Sequence, residues 1–130
     1  MLNKKDYCDH DTCVALKELG CIGQGRHYYD LDKDPKELRH FGIQVLTTRS
    51  AEALNFVLAI HLYDAQKWLR ENKNIQIEIP ISFMDNGVWK FNFRIQTPEF
   101  YDRAIGEWDS YEEALLEGVK SAIKILKEGK

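Results

Sequence analysis

Cys8, His10, Cys13, Cys21 and His27 crowd into about twenty residues. Thiolates and neutral imidazoles are the usual ligands of zinc, so this is the first place to look for chemistry. Cys8 and Cys13 leave four residues between them and Cys13 and Cys21 leave seven, which together make a poor knuckle pattern. Cys13 and Cys21 also flank a short helix, where free thiols serve as small apolar fillers. No metal ligand and no cofactor is assigned. A catalytic cysteine needs a neighbouring base and an electropositive setting. Cys8 has His10 nearby, but Asp6, Asp9 and Asp11 surround the pair and would raise a thiol pKa. No catalytic residue is assigned.

Three further clusters point to other chemistries. Gly20, Gly23 and Gly25 suggest a phosphate loop, which requires a strand before it, a helix after it, and Lys with Ser or Thr. Here a helix comes first and Tyr28-Tyr29 follow, so a flexible link is the better reading. Asp30-x-Asp32-x-Asp34 opens like a calcium loop, but Pro35 and Phe41 stand where the glycine and final glutamate belong. Glu112 and Glu113 read as cap and solvent positions. Arg26-His27-Tyr28-Tyr29 and Arg39-His40 mix cations with aromatics, a combination suited to an acidic peptide or a nucleic acid. Phe100, Tyr101 and Trp108 have no periodic core assignment. The candidate partner-contact residues are therefore Arg26, His27, Tyr28, Tyr29, Phe100, Tyr101 and Trp108.

The elements that must position these groups follow from periodicity. Residues 9–19 predict a first helix with Asp9 or Asp11 as cap and Gly20 as its left-handed stop. His27–Asp30 and Ile43–Thr47 are strand candidates, and 32–40 a helical turn with Asp34 as cap and Pro35 in its first turn. Residues 62–72 form a firm helix. The stretch 51–60 fits either the start of that helix or a buried strand followed by a turn. Ser110-x-x-Glu113 is a capping box opening a helix over 110–127, with Tyr111, Leu115, Gly118, Val119, Ala122 and Leu126 on its apolar stripe and Gly129 as its end.

Ile75, Ile77, Ile79, Ile81 and Phe83 alternate with polar residues and with Pro80, and Trp89, Phe91, Phe93 and Ile95 do the same. Period two puts one face in a core and one in water. Asp85-Asn86-Gly87 between them is hairpin chemistry. Keeping core opposite core pairs Phe83 with Trp89, Ile81 with Phe91, Ile79 with Phe93, Ile77 with Ile95, and Glu78 with Arg94. A two-residue loop would instead set Phe83 opposite Lys90. Pro80, which cannot donate to a ladder, leaves a three- or five-residue loop open. The wet face would carry Gln76, Glu78, Ser82, Lys90, Asn92, Arg94 and Gln96. It has mixed charge and no exposed aromatic, so it lacks what single-stranded nucleic acid requires.

The chain has 130 residues, 18 Lys and Arg against 21 Asp and Glu, a net charge of -3 and 44% hydrophobic residues. This is ordinary globular composition. It speaks against a disordered chain and weakly against a general nucleic-acid binder. No run approaches the ~20 apolar residues of a membrane span. Three cysteines argue against a closed disulfide framework. The expectation is one cytoplasmic domain over 1–130, of α+β class. Its two layers are an antiparallel sheet including the 75–83/88–96 hairpin and helices near 9–19, 62–72 and 110–127 on one face.

Leu62-Tyr-Asp-Ala-Gln-Lys-Trp-Leu-Arg-Glu-Asn-Lys-Asn-Ile75 and Ser110-Tyr-Glu-Glu-Ala-Leu-Leu-Glu-Gly-Val-Lys-Ser-Ala-Ile-Lys-Ile-Leu126 carry a resemblance, with Asp6-Tyr7 and Lys17-Glu18-Leu19-Gly20 beside them. They resemble a group of small uncharacterised proteins of gut Bacteroides-type bacteria and their prophages. The resemblance touches about half the chain and rests on caps and core positions. It implies a cytosolic accessory protein of a mobile element and carries over no catalytic residue. The leading expectation is a non-enzymatic binding or adaptor protein with an unidentified protein partner, homodimerisation being open. One alternative is a nucleic-acid-associated accessory protein, and another a metal or thiol protein using the N-terminal Cys/His region.

Overall fold

The computed structural model describes residues 4–42, 44–85, 87–99, 101–103 and 107–128. The protein is α+β, and it divides into two compact units, Met1–His61 and Leu62–Lys130.

In the first unit a 3-10 turn over Lys4–Asp6 leads to α1 (His10–Glu18). The Asp9 carboxylate accepts the Thr12 N–H at 2.9 Å, satisfying one of the donors a helix start leaves unpaired. Gly20, at φ 98°, supplies the left-handed residue beyond its end. Then come β1 (Gln24–Gly25), β2 (His27–Asp30), β3 (Arg39–His40), β4 (Leu46–Thr47), α2 (Thr48–Ala53) and β5 (Phe56–Leu58). β2 is the middle strand of the antiparallel sheet β3-β2-β5, while β1 and β4 pair separately. His27 faces His40, Tyr28 faces both Arg39 and Leu58, and Tyr29 faces Val57.

Val57, Leu58 and Ala59 are all buried. Successive strand residues point to opposite faces, so both faces of β5 are covered. On one face Leu58 clusters with Leu46 and with Ala51 of α2. On the other, Tyr29 meets the ring of His10 from α1 at 5.8 Å. This decides the reading of 51–60. A helix capped by a Thr47/Ser50 box ends at Ala53, Asn55 takes φ 60°, and a doubly buried strand follows.

The helical turn expected over 32–40 is not formed. Residues 31–35 are turns and bends. Lys36 Nζ donates to the carbonyls of Leu31 and Lys33 at 2.9 and 2.8 Å, and the Asp30 carboxylate accepts the Asp32 N–H. Such side-chain bonds compete directly with helical ones. Of the strand expected over 43–47, Leu46–Thr47 is formed and Ile43 lies outside the described residues.

In the second unit the elements are α3 (Leu62–Lys73), β6 (Gln76–Glu78), β7 (Ile81–Asp85), β8 (Val88–Phe91), β9 (Arg94–Gln96), β10 (Tyr101–Arg103) and α4 (Tyr111–Glu128). The sheet β10-β9-β6 is antiparallel, and β7-β8 form their own pair. α3 and α4 pack on each other and on β6, and α4 also on β9. The Ser110 hydroxyl accepts the Glu113 N–H at 3.1 Å at the start of α4. Gly129, its expected end, lies outside the described residues.

The hairpin keeps the expected register at its base and loses it at its tip. Gln76 faces Gln96, Ile77 faces Ile95, Glu78 faces Arg94 and Ile81 faces Phe91. Beyond that, Phe83 stands opposite Lys90, Met84 opposite Trp89 and Asp85 opposite Val88. The expected Phe83–Trp89 pair is therefore wrong. A bulge between Ile81 and Phe83 puts one extra residue into β7. It reconciles two demands that a single register could not meet: core against core at the base, and a two-residue connection with Gly87 at φ 78° at the tip. Asn86 lies outside the described residues, as do the side chains of Ile81 and Phe83.

Two side chains depart from the expected faces. Trp89, read as core, is 52% exposed, because the helices pack on β6 and β9 and β8 carries it beyond them. Asn92, read as wet, is buried. The cause is Pro80. Asn92 N–H donates to the Pro80 carbonyl at 3.0 Å, but proline has no N–H to return. The ladder breaks there, and the Asn92 side-chain oxygen turns in to accept the Phe93 N–H at 2.7 Å.

Gly118 sets how closely α4 approaches the sheet. A Cβ at this position would lie 2.8 Å from Ile77 Cγ2 and 3.5 Å from Phe93. Gly118→Ala therefore sets overpacking, about 1–3 kcal/mol, against the ~1 kcal/mol by which alanine favours a helix. A net loss in chemical denaturation is expected, and an unchanged or raised midpoint would show that Ile77 yields freely. On the same helix, Leu115 is fully buried and Glu117 only partly. Leu115→Ala should cost about 2–5 kcal/mol and Glu117→Ala less than about 0.5; equal losses would refute the assigned face.

Candidate functional site

The sheet β3-β2-β5 sorts the N-terminal chemistry onto two faces. Residues directly opposite each other in an antiparallel ladder share a face. His27 and His40 therefore project together with Tyr29, whereas Tyr28 and Arg39 project from the other side, where the Phe41 N–H to Arg26 carbonyl bond of 2.7 Å extends the ladder.

The histidine face runs into the buried thiols. Cys8 and Cys13 are fully buried and Cys21 nearly so. The Tyr29 hydroxyl donates to the Cys8 carbonyl at 2.7 Å, and Ile60 N–H points at Cys13 Sγ at 3.4 Å. The hydrogen bond with Cys13 and burial both push the Cys8 thiol well above its ordinary pKa. A nucleophile needs the opposite shift. Burial likewise raises the Tyr29 phenol. Among the described residues no three His, Cys, Asp or Glu side chains converge so as to hold a metal ion.

All four histidines of the chain lie in this unit. The rings of His40 and His27 are 5.0 Å apart, His27 and Tyr7 5.2 Å, and Tyr7 and His61 5.3 Å. Tyr7 OH lies 3.3 Å from His27 Nδ1. His40 Nδ1 accepts the Gly42 N–H at 3.1 Å, which places the proton of the neutral ring on Nε2. Neither nitrogen of His40 then offers a free lone pair to a cation.

The other face carries aromatics and arginines. Tyr28 and Phe56 stack at 4.1 Å with 19° between planes, and Phe41 stands edge-on to both at 6.0 and 6.4 Å. All three are half-buried against a core of only Leu46, Ala51 and Leu58. Arg26 is exposed, and Arg39 Nε is buried without a hydrogen-bond partner among the described residues.

The residues singled out from the sequence thus meet different fates. Arg26 and Tyr28 lie on the arginine–aromatic face, His27 belongs to the ring array, and Tyr29, 6% exposed, is core. In the second unit Tyr101 is 53% exposed, with its hydroxyl 3.3 Å from Arg94 Nη1. Trp108 exchanges two 2.9 Å backbone bonds with Phe91 and packs its ring 5.3 Å from Phe93. Next to it Lys90 pairs with Asp109 and holds that carboxyl below its usual range. Phe100 lies outside the described residues. Phe41 and Phe56 were missed as surface candidates. The alternation of Phe56 and Leu58 against Tyr28 was the available signal, obscured by the helix-like reading of 51–60.

Burial of all three thiols, together with the raised pKa of Cys8, predicts that they are inert. In the native protein Cys8, Cys13 and Cys21 should react with an aromatic disulfide reagent only as fast as the protein opens, and all three at once in denaturant. Prompt labelling of one thiol under native conditions would refute this. Comparison with protein-family models, with curated proteins and with solved structures gives no match.

Proposed function

We propose that the chain is a non-enzymatic binding protein whose contact surface is the face carrying Arg26, Tyr28, Arg39, Phe41 and Phe56. The observation that carries this reading is the half-buried aromatic trio with an unpartnered Arg39 Nε–H beside it. Aromatics and arginine are the residues that dominate protein contact energies. Arg26 is exposed on this face and Arg39 partly so, so a carboxylate next to an apolar side chain would complement the surface. A protein partner is favoured over a nucleic acid because the end of β2 and the loop after it carry Asp30, Asp32, Asp34 and Glu37 against Lys33 and Lys36, a net negative charge that disfavours a phosphate backbone. A cytosolic accessory role in a mobile element belongs to the same reading and rests on the sequence resemblance alone. Among the described residues no helix is long and apolar enough to cross a membrane.

The test is affinity purification followed by titration of the purified partner. Tyr28→Ala and Arg39→Ala should each weaken binding about 30-fold or more, the loss expected of a contact worth about 2 kcal/mol. Trp89→Ala and Tyr101→Ala should leave it within about threefold, with folding of all four checked by circular dichroism. The reverse pattern would overturn the assignment. Tight oligonucleotide binding that weakens steeply with salt would favour the nucleic-acid alternative.

A further inference from the structure

We propose that the His27–His40 pair makes the β2–β3 pairing acid-sensitive, so that protonation loosens the strand carrying Arg39 and leading into Phe41. The consequence for partner binding rests on the reading of that face given above; the loosening itself does not.

The geometry supplies two separate causes. Protonating His40 on Nδ1 removes the lone pair that accepts the Gly42 N–H, and Gly42, at φ 86°, closes the chain just after β3. Charging both rings places two imidazolium ions with centroids 5.0 Å apart, directly opposite each other in the ladder, where like charges are destabilising. β3 is only Arg39–His40, held by two ladder positions and the Phe41 N–H to Arg26 carbonyl bond, so it has little else to resist.

The titratable groups around the pair come from every neighbouring element. Tyr7 approaches His27 from the segment after the 3-10 turn, and His61 lies behind Tyr7 after β5. Tyr29 follows along β2 with His10 of α1 against it, and His10 Nδ1 contacts Asp11 at 2.9 Å. Arg26 flanks His27, and Arg39 flanks His40. Among the described residues no carboxylate pairs with His27 or His40 to offset the charge.

Burial and the neighbouring His40 lower the His27 pKa from the ordinary 6.5. The native state therefore binds fewer protons than the unfolded one as pH falls through this range. The stabilisation is complete above the unfolded value and declines below it.

The test uses the free full-length protein, so its failure is distinct from failure of the binding reading. Proton–carbon and proton–nitrogen NMR spectra are followed from pH 7.5 to 5.0. His27 should titrate below 6.5, and the Phe41 and Gly42 amide signals should move with the histidine midpoints. In His40→Gln, whose amide oxygen can still accept from Gly42, the His27 midpoint should rise and the amide transition should vanish. Amides that stay fixed through the titration, or a His27 midpoint unchanged by His40→Gln, would overturn the proposal. Should that variant not fold, His27→Gln read at His40 tests the same coupling.

Discussion

The first unit depends on β2 being spent on both sides at once. Its backbone is paired to β3 and to β5, so its register cannot slide without breaking two ladders. Its side chains then have no choice of face. Tyr29 is committed to the α1 side, where its hydroxyl meets the Cys8 carbonyl. Tyr28 is committed to the other, where it stacks on Phe56. A one-residue slip would exchange the two and place a stacked aromatic where the buried thiols sit. The same commitment joins the chemistry of the two faces. A charge placed on His27 or His40 is felt by the strands that present Tyr28 and Arg39, although the side chains point apart.

In the second unit the governing constraint is proline 80. Its missing donor ends the ladder between β6 and β7 on one strand and between β8 and β9 on the other. A long hairpin is thereby cut into a base that packs under α4 and a tip in its own register, with Phe91 at the foot of the tip 6.3 Å from Tyr111 of α4. The Glu78–Arg94 pair lies on the base at 3.8 Å, with both side chains more than a third exposed, so it contributes little to stability. What binds the base is burial: Ile77, Ile95, Leu115 and Val119 are all at 1% exposure or less, and Gly118 lets their layers meet.

Legibility followed the same physics. Asp9, Gly20 and the apolar stripe of α4 could be read because local rules alone decide them. The hairpin base could be read because period two admits only one register when one face is buried. The bulge could not, since it arises from a conflict between the turn and the core that neither alone predicts. The strand at Phe56–Leu58 could be read only as one of two alternatives, because a strand buried on both faces loses its alternation and mimics the interior of a helix. The arginine–aromatic face was half legible. Arg26, Tyr28 and Arg39 stood out as cations among aromatics, but Phe41 and Phe56 join them only through the sheet.

The cysteine–histidine crowding shows why closeness in sequence is a poor guide to coordination. A metal site needs lone pairs converging on one point. Here His10 Nδ1 contacts the Asp11 carboxylate, His40 Nδ1 accepts the Gly42 N–H, and His27 Nδ1 lies against the Tyr7 hydroxyl. Cys8 and Cys13 are buried, and the hydrogen bond with Cys13, burial and the nearby Asp9 carboxylate all oppose a thiolate at Cys8. Each ligand type is present, but among the described residues no three of them converge on one point. The histidines that do gather are spaced as rings in contact and not as donors around a centre. What such an array responds to is the proton, which needs no convergence, only a lone pair and a neighbour that suffers when it is taken.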